Sequence, residues 1–377
     1  MTAGHAGLSR PPADEPGRRR FAPVVGAGDR PLALEAGGSL PEVTVAYETW
    51  GELDPDRSNA VLILHALTGD SHAAGPVGPG HPTAGWWDPL IGPGAPVDTD
   101  RYFVVSPNVL GGCQGTTGPS SPDPDGRPWG SRFPPLTIRD QVAAEARLAD
   151  HLGIERWAGV VGGSMGGMRV LEWCVGHPER VARAAVLAVG AAATAEQVAL
   201  CSVQCRAIRL DPAYAGGDYY GTGSAPVSGM ELARGVGQIS YRTGAEFTER
   251  FGRRPQDDED PLRGGRFAVE SYLEYQGAKL AARFDPNSYL VLSEAMNRHD
   301  VGRGRGGRTA ALSRVTAEVH VAGIDTDRLY PLTLQVELAE RLPGSHPLTV
   351  ITSRFGHDGF LLEADQAGEF LLRALGG

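Results

Sequence analysis

The residues Gly162-Gly163-Ser164-Met165-Gly166-Gly167 set one serine between two pairs of glycines. An apolar run, Trp157 to Val161, precedes them, and a helical pattern, Met168 to Val175, follows. A G-x-S-x-G sequence between a strand and a helix is the pattern of a nucleophile elbow. Its logic is steric first. A sharp strand-to-helix turn strains the serine backbone, so the neighbours must lack bulk. The same turn exposes Oγ and aims the helix N-terminus at a developing oxyanion.

A serine hydroxyl is a poor nucleophile until a base takes its proton, so a histidine and an orienting acid should follow, in the order Ser, Asp or Glu, His. Asp325 and Asp327 both follow the apolar run Val319 to Ile324, and the residues alone leave either open as the acid. His357 follows the run Leu348 to Ser353 and is the expected base. Both places lie at C-terminal ends of strands, where open α/β sheets build their sites. Of the other histidines, His5 and His81 read as loop residues, and His320 falls within a strand. The oxyanion should meet the Met165 N–H and one N–H from the loop His65-Ala66-Leu67-Thr68-Gly69-Asp70-Ser71-His72; by position this is Leu67.

Strands and helices must hold these residues in place. Val43 to Thr49 alternates with period two, and Ala60 to Leu64, Tyr102 to Val105, Ala158 to Val161 and Ala184 to Val189 are short apolar runs. Glu318 to Ala322 and Leu348 to Thr352 resume the pattern late in the chain. Strands covered on both faces read this way, and their alternation with helices predicts a mostly parallel sheet flanked by helices. Residues 1–28, rich in Pro, Gly and Arg, read as a flexible leader; 29–191 and 309–377 form the α/β core. Residues 192–308 lack strand-like runs and read as a helical insertion roofing the core.

Composition excludes several classes. With 35 basic against 45 acidic residues the net charge is −10, which disfavours a nucleic-acid or anionic-membrane binder. No apolar run approaches the roughly 20 residues of a spanning helix, and no apolar segment follows Arg18 to Arg20 as a secretory signal requires. Four cysteines, Cys113, Cys174, Cys201 and Cys205, are too few for a disulfide framework, and no metal site is expected. A cytoplasmic protein is the expectation.

Several stretches resemble the homoserine O-acyltransferases of the α/β-hydrolase superfamily: Tyr47 to Gly51, Leu64 to Gly69, Gly85 to Asp88, the glycine-rich block Asn108 to Pro119, the elbow, Ser240 to Arg242, Asp327 to Pro331 and Gly356 to Phe360. The resemblance runs from about residue 40 to the C-terminus. It implies an α/β-hydrolase fold with a helical lid, Ser164 as nucleophile, Asp327 as the orienting acid and His357 as base. It further implies Arg234 as partner of the substrate carboxylate and Asp358 as acceptor of its ammonium. The implied reaction is a ping-pong transfer from acetyl-CoA, a co-substrate, to L-homoserine in methionine synthesis, by a homodimer with no tightly bound cofactor. The motifs do not separate acetyl from succinyl donors or homoserine from serine acceptors, and a plain serine hydrolase would carry the same triad.

Overall fold

The short apolar runs become the strands of one eight-stranded sheet in the computed structural model, which describes residues 17–376. In chain order they are β1 (Arg20–Val25), β2 (Val43–Trp50), β3 (Ala60–Leu64), β4 (Phe103–Pro107), β5 (Gly159–Gly163), β6 (Arg183–Leu187), β7 (Glu318–Ile324) and β8 (Thr349–Ile351). Their order across the sheet is β1-β2-β4-β3-β5-β6-β7-β8. The β1/β2 and β2/β4 pairings are antiparallel and the rest parallel. Every residue of β3 and β5 is buried, as expected for strands with helices on both faces. The register matters for function: Leu64 lies opposite Gly162, Leu187 opposite Gly163, and Ile324 opposite Ile351. The C-terminal ends of the central strands therefore finish level, and the loops leaving them meet.

Helices fill the connections. They are α1 (Ile138–Leu152), α2 (Met165–Gly176), α3 (Ala195–Leu210), α4 (Val227–Tyr241), α5 (Gly244–Arg250), α6 (Ala268–Ala281), α7 (Pro286–Asn297), α8 (Arg308–Leu312), α9 (Leu332–Arg341), α10 (Gly359–Leu362) and α11 (Ala364–Leu375). Local chemistry starts several of them. Thr137 with Asp140, and Thr194 with Gln197, form reciprocal capping boxes at α1 and α3. No helix among the described residues is long and apolar enough to cross a membrane.

The leader expected over 1–28 is too long. Arg20 to Val25 pairs antiparallel with β2, Arg20 opposite Tyr47 and Phe21 opposite Ala46. Pro23 hides the strand from a pattern search, yet it is tolerated because β1 is an edge strand, and the register shifts there. The core thus begins at least nine residues before position 29; residues 1–16 of the expected leader lie outside the described ones. Between β6 and β7 the structure holds only helices, α3 to α8, and no strand of the sheet. Helix α3 precedes the helix carrying Arg234, so α4 is the second long helix there. Helix α7 is no detachable cover, because Tyr289, Leu290, Leu292, Ala295 and Met296 share one buried cluster with β3 and α1.

Candidate active site

Ser164 occupies the junction of β5 and α2 with φ 56° and ψ −124°, a conformation that a non-glycine residue holds only under strain. Its own N–H is anchored to the Leu187 carbonyl at 3.0 Å. The flanking glycines are there for close approach. A Cβ on Gly162 would lie 2.6 Å from the Gly166 carbonyl carbon, and one on Gly166 would collide with the Leu64 carbonyl. The turn closes only because neither exists.

The two aspartates separate cleanly. Asp325 is exposed and its carboxylate takes the Ser353 N–H at 3.0 Å, while its N–H reaches the Ile351 carbonyl, tying the ends of β7 and β8. Asp327 is buried. One of its oxygens accepts the Leu329 and Tyr330 N–H groups at 2.8 Å each, and the other accepts Nδ1–H of His357 at 2.6 Å. The orienting contact thus belongs to Asp327. His357 stands on a one-turn helix, Gly356–Asp358, entered through Gly356 at φ 64°. Burial alone would push the imidazole down; the Asp327 charge and hydrogen bond outweigh it and raise His357 above its ordinary value. The second ring nitrogen, Nε2, is buried and has no hydrogen-bond partner among the described residues. Ser164 and His357 are therefore not yet joined, a looseness common in ligand-free sites.

The loop after β3 is held from several sides. The His65 ring donates Nδ1–H to the Ala66 carbonyl at 2.7 Å and accepts the Val109 N–H at Nε2. Burial and the nearby Arg169 push His65 down to about 3, so this imidazole stays neutral and structural. Arg169 also donates to the His65 carbonyl while paired with buried Glu145 at 2.7 Å. Further along, Glu48 on β2 accepts the Ser71 hydroxyl and His72 Nδ1–H, each at 2.9 Å. Among the described residues neither the Leu67 nor the Met165 N–H is taken by a protein acceptor, which leaves two amides free beside the elbow.

The residues assigned by resemblance come from different elements. Arg234 comes from α4, its guanidinium 5.5 Å above the Tyr241 ring and its Nε buried without a partner. Asp358 follows His357; Arg242 lies 3.5 Å from it, and itself pairs with Glu246 at 2.9 Å. Burial raises Asp358 above the usual carboxylate range, against the pull of His357, Arg234 and Arg242. Sequence reasoning missed three neighbours. Tyr330 stacks on His357 at 4.9 Å with its hydroxyl toward Ser164. Arg242 joins the insertion to the His357 loop. Glu48 was quoted only as part of a motif; it falls on the polar phase of the alternating strand, so its burial was not legible in the pattern.

Two side-chain groups could offer three metal ligands each, Glu48 with His72 and His81, and Glu318 with His320 and His346. In both the imidazoles stack nearly parallel, at 17° and 12°, so their lone pairs run side by side and do not converge on one point. Neither group includes the serine, His357 or a cysteine.

A sheet of this order with a strained serine elbow, and a buried acid–imidazole pair beyond the last strands, defines an α/β hydrolase. The family model for the alpha/beta hydrolase fold matches residues 59–364. Over 363 residues the chain is 60% identical to homoserine O-acetyltransferase of Thermobifida fusca (strain YX), covering 96% of this chain and 95% of that one. The chain belongs to the homoserine O-acetyltransferase family of α/β hydrolases. Among solved structures, homoserine O-acetyltransferase from Bacillus anthracis superposes with a TM-score of 0.86 at 26% identity, covering 96% of this chain and 98% of that one. Esterase E22 does so equally well, with a TM-score of 0.86 at 26% identity and coverage of 95% and 99%. Backbone likeness alone thus does not separate transfer from hydrolysis.

Proposed function

We propose that this protein acetylates the hydroxyl of L-homoserine through an acyl-serine intermediate, with acetyl-CoA as donor. The observation that carries the reading is the buried Asp327–His357 pair at 2.6 Å together with a strained Ser164, within a chain 60% identical to a homoserine O-acetyltransferase. His357 Nε2 takes the Ser164 proton as Oγ attacks the thioester carbonyl, and the Leu67 and Met165 N–H groups hold the oxyanion. Collapse breaks the C–S bond, and coenzyme A leaves as a thiol carrying the proton from His357. Homoserine then gives its hydroxyl proton to the same imidazole and attacks the acyl carbonyl. Ser164 departs with that proton restored and O-acetylhomoserine is released.

Arg234 receives the homoserine carboxylate and Asp358 its ammonium. The unpartnered Nε of Arg234 supports the first role, since a buried guanidinium donor without an acceptor is costly and a planar carboxylate suits it. No step requires a metal or a resident cofactor. The helices between β6 and β7 roof the site, so that the alcohol competes with fewer waters for the acyl-enzyme. We further infer a cytoplasmic homodimer working in methionine synthesis, as the family resemblance implies.

Thiol release measured with acetyl-CoA and succinyl-CoA, each with homoserine and with serine, tests the assignment. Homoserine-dependent release from acetyl-CoA, abolished by Ser164→Ala, is the expected result. Equal release with and without homoserine would favour the esterase reading that esterase E22 keeps open, and free acetate would then be the product.

A further inference from the structure

Three aromatic rings lie against the His357 imidazole. Phe360 meets it edge-on at 5.6 Å, Tyr241 lies tilted at 6.1 Å, and Tyr330 stacks on its face at 4.9 Å with 25° between the planes. Two of the three carry a hydroxyl, and only one of these is turned toward the triad. The Tyr241 hydroxyl lies back along its own helix: a Cβ on Gly237, one turn earlier on α4, would stand 3.1 Å from it. The Tyr330 hydroxyl is directed at Ser164.

The turn after β7 fixes this placement. One Asp327 oxygen accepts the Tyr330 N–H at 2.8 Å, while the other accepts His357 Nδ1–H at 2.6 Å. A single carboxylate therefore sets the tyrosine backbone and the imidazole relative to each other. Tyr330 is only 2% exposed, which keeps its ring against His357. Leu67, whose N–H is the expected oxyanion donor, and Tyr330 wall one small cavity of about 20 Å³. Burial, with the Asp327 charge adding to it, holds the phenol well above its ordinary value. It therefore keeps a hydrogen to donate and does not compete with His357 as a base.

A side chain so placed meets both groups on which charge develops. When Ser164 gives its proton to His357 Nε2, Oγ becomes electron-rich and an imidazolium forms over the Tyr330 ring. A hydrogen bond to Oγ strengthens at that moment, and a cation over an aromatic face is attracted to it. Resting on the reading of Ser164 as nucleophile and His357 as base, we propose that Tyr330 is a further catalytic residue beside the triad, its hydroxyl donating to Ser164 Oγ and its face supporting the imidazolium. No proton leaves the phenol. Oγ loses its own proton to Nε2, bonds to the acyl carbon and becomes an ester oxygen, a weak acceptor. When the alcohol attacks, Oγ departs, draws again on the Tyr330 hydroxyl and takes its proton back from His357. The help thus falls on both transition states and little on the acyl-enzyme between them, which is the differential binding that raises rate.

The rate at which a fluorophosphonate labels Ser164 in the full-length protein, followed by intact-protein mass spectrometry across pH, reads this without the natural substrates. Tyr330→Phe keeps the ring and deletes the hydroxyl. Its labelling rate should fall about tenfold, as for loss of one hydrogen bond to a group gaining charge, with the His357 limb unmoved. Tyr330→Leu removes the face as well, and its limb should move to lower pH because the imidazolium has lost its support. An unchanged rate in Tyr330→Phe would overturn the proposal, as would an unmoved limb in Tyr330→Leu. A slower Tyr330→Phe whose Tm falls and whose limb shifts would show packing alone, and would overturn it too. The near-isosteric Tyr330→Phe decides the matter even where Tyr330→Leu does not fold. If the unaltered protein is not labelled at Ser164, the nucleophile reading itself falls, and the role of Tyr330 with it.

Discussion

Asp327 divides its carboxylate between two tasks: one oxygen takes the Leu329 and Tyr330 N–H groups, and the other holds His357 Nδ1 at 2.6 Å. The acid is thus locked by its own turn before it touches the imidazole. Its orientation is set by its own turn, so the geometry should survive loss of the charge. Asp327→Asn should therefore fold normally and lose roughly 10⁴ in kcat/KM, the cost of the same change in the serine-protease triad, where the amide enforces the wrong tautomer. Steady-state kinetics beside a thermal melt would check it; a large drop in Tm would point to a structural role.

The Asp327–His357 pair also sets a pH dependence. His357 is raised above its ordinary 6.5, and the base works only when neutral, so kcat/KM should climb through a limb on the alkaline side of 6.5. Stability runs the other way. A raised folded value contributes stability that is complete below about 6.5 and is lost as pH rises through that folded value. In Asp327→Asn the residual activity should show its limb at lower pH, because burial is then unopposed by the carboxylate charge. A limb that does not move would contradict the cause assigned.

Glu48 should matter to a reaction it never touches. Glu48→Ala leaves the Ser71 hydroxyl and the His72 Nδ1–H buried without their acceptor. Each orphaned group costs on the order of 1–3 kcal/mol. The loop they anchor carries Leu67, so kcat/KM should fall about tenfold, a shift of about 1.4 kcal/mol in the barrier. Urea unfolding together with kinetics reads both, and unaltered stability would sink the idea.

Gly166 admits no side chain. The added Cβ of Gly166→Ala would strike the Leu64 carbonyl, which is backbone in a central strand and cannot rotate away. The expected loss of stability is about 3 kcal/mol, at the upper end for overpacking, with the elbow displaced and acylation nearly abolished. Labelling of Ser164 by a fluorophosphonate would report the displacement directly.

Arg234 should discriminate between the two substrates. Arg234→Ala should raise the homoserine KM about tenfold or more, as for loss of a charge-assisted pair, and the acetyl-CoA KM far less. Equal effects on both would contradict its assignment to the acceptor carboxylate.

What the linear chain settled, and what it could not, follows from the range of the forces involved. Periods of two and 3.6, and the absence of side chains around Ser164, are properties of neighbouring residues. They marked seven of the eight sheet strands, the elbow and the histidine without any knowledge of distant partners. The edge strand β1 escaped because Pro23 breaks its local pattern, while its pairing partner lies some twenty residues away. Asp325 and Asp327 could not be told apart by the residues alone, since both follow the same strand. Only the folded turn shows which carboxylate points at His357 and which ties β7 to β8. Glu48, Tyr330 and Arg242 gain their meaning from contacts made across separate elements, which no spacing along one segment encodes. Hydrogen bonds of this kind are decided when packed layers bring remote polar groups out of water and force each to find a partner.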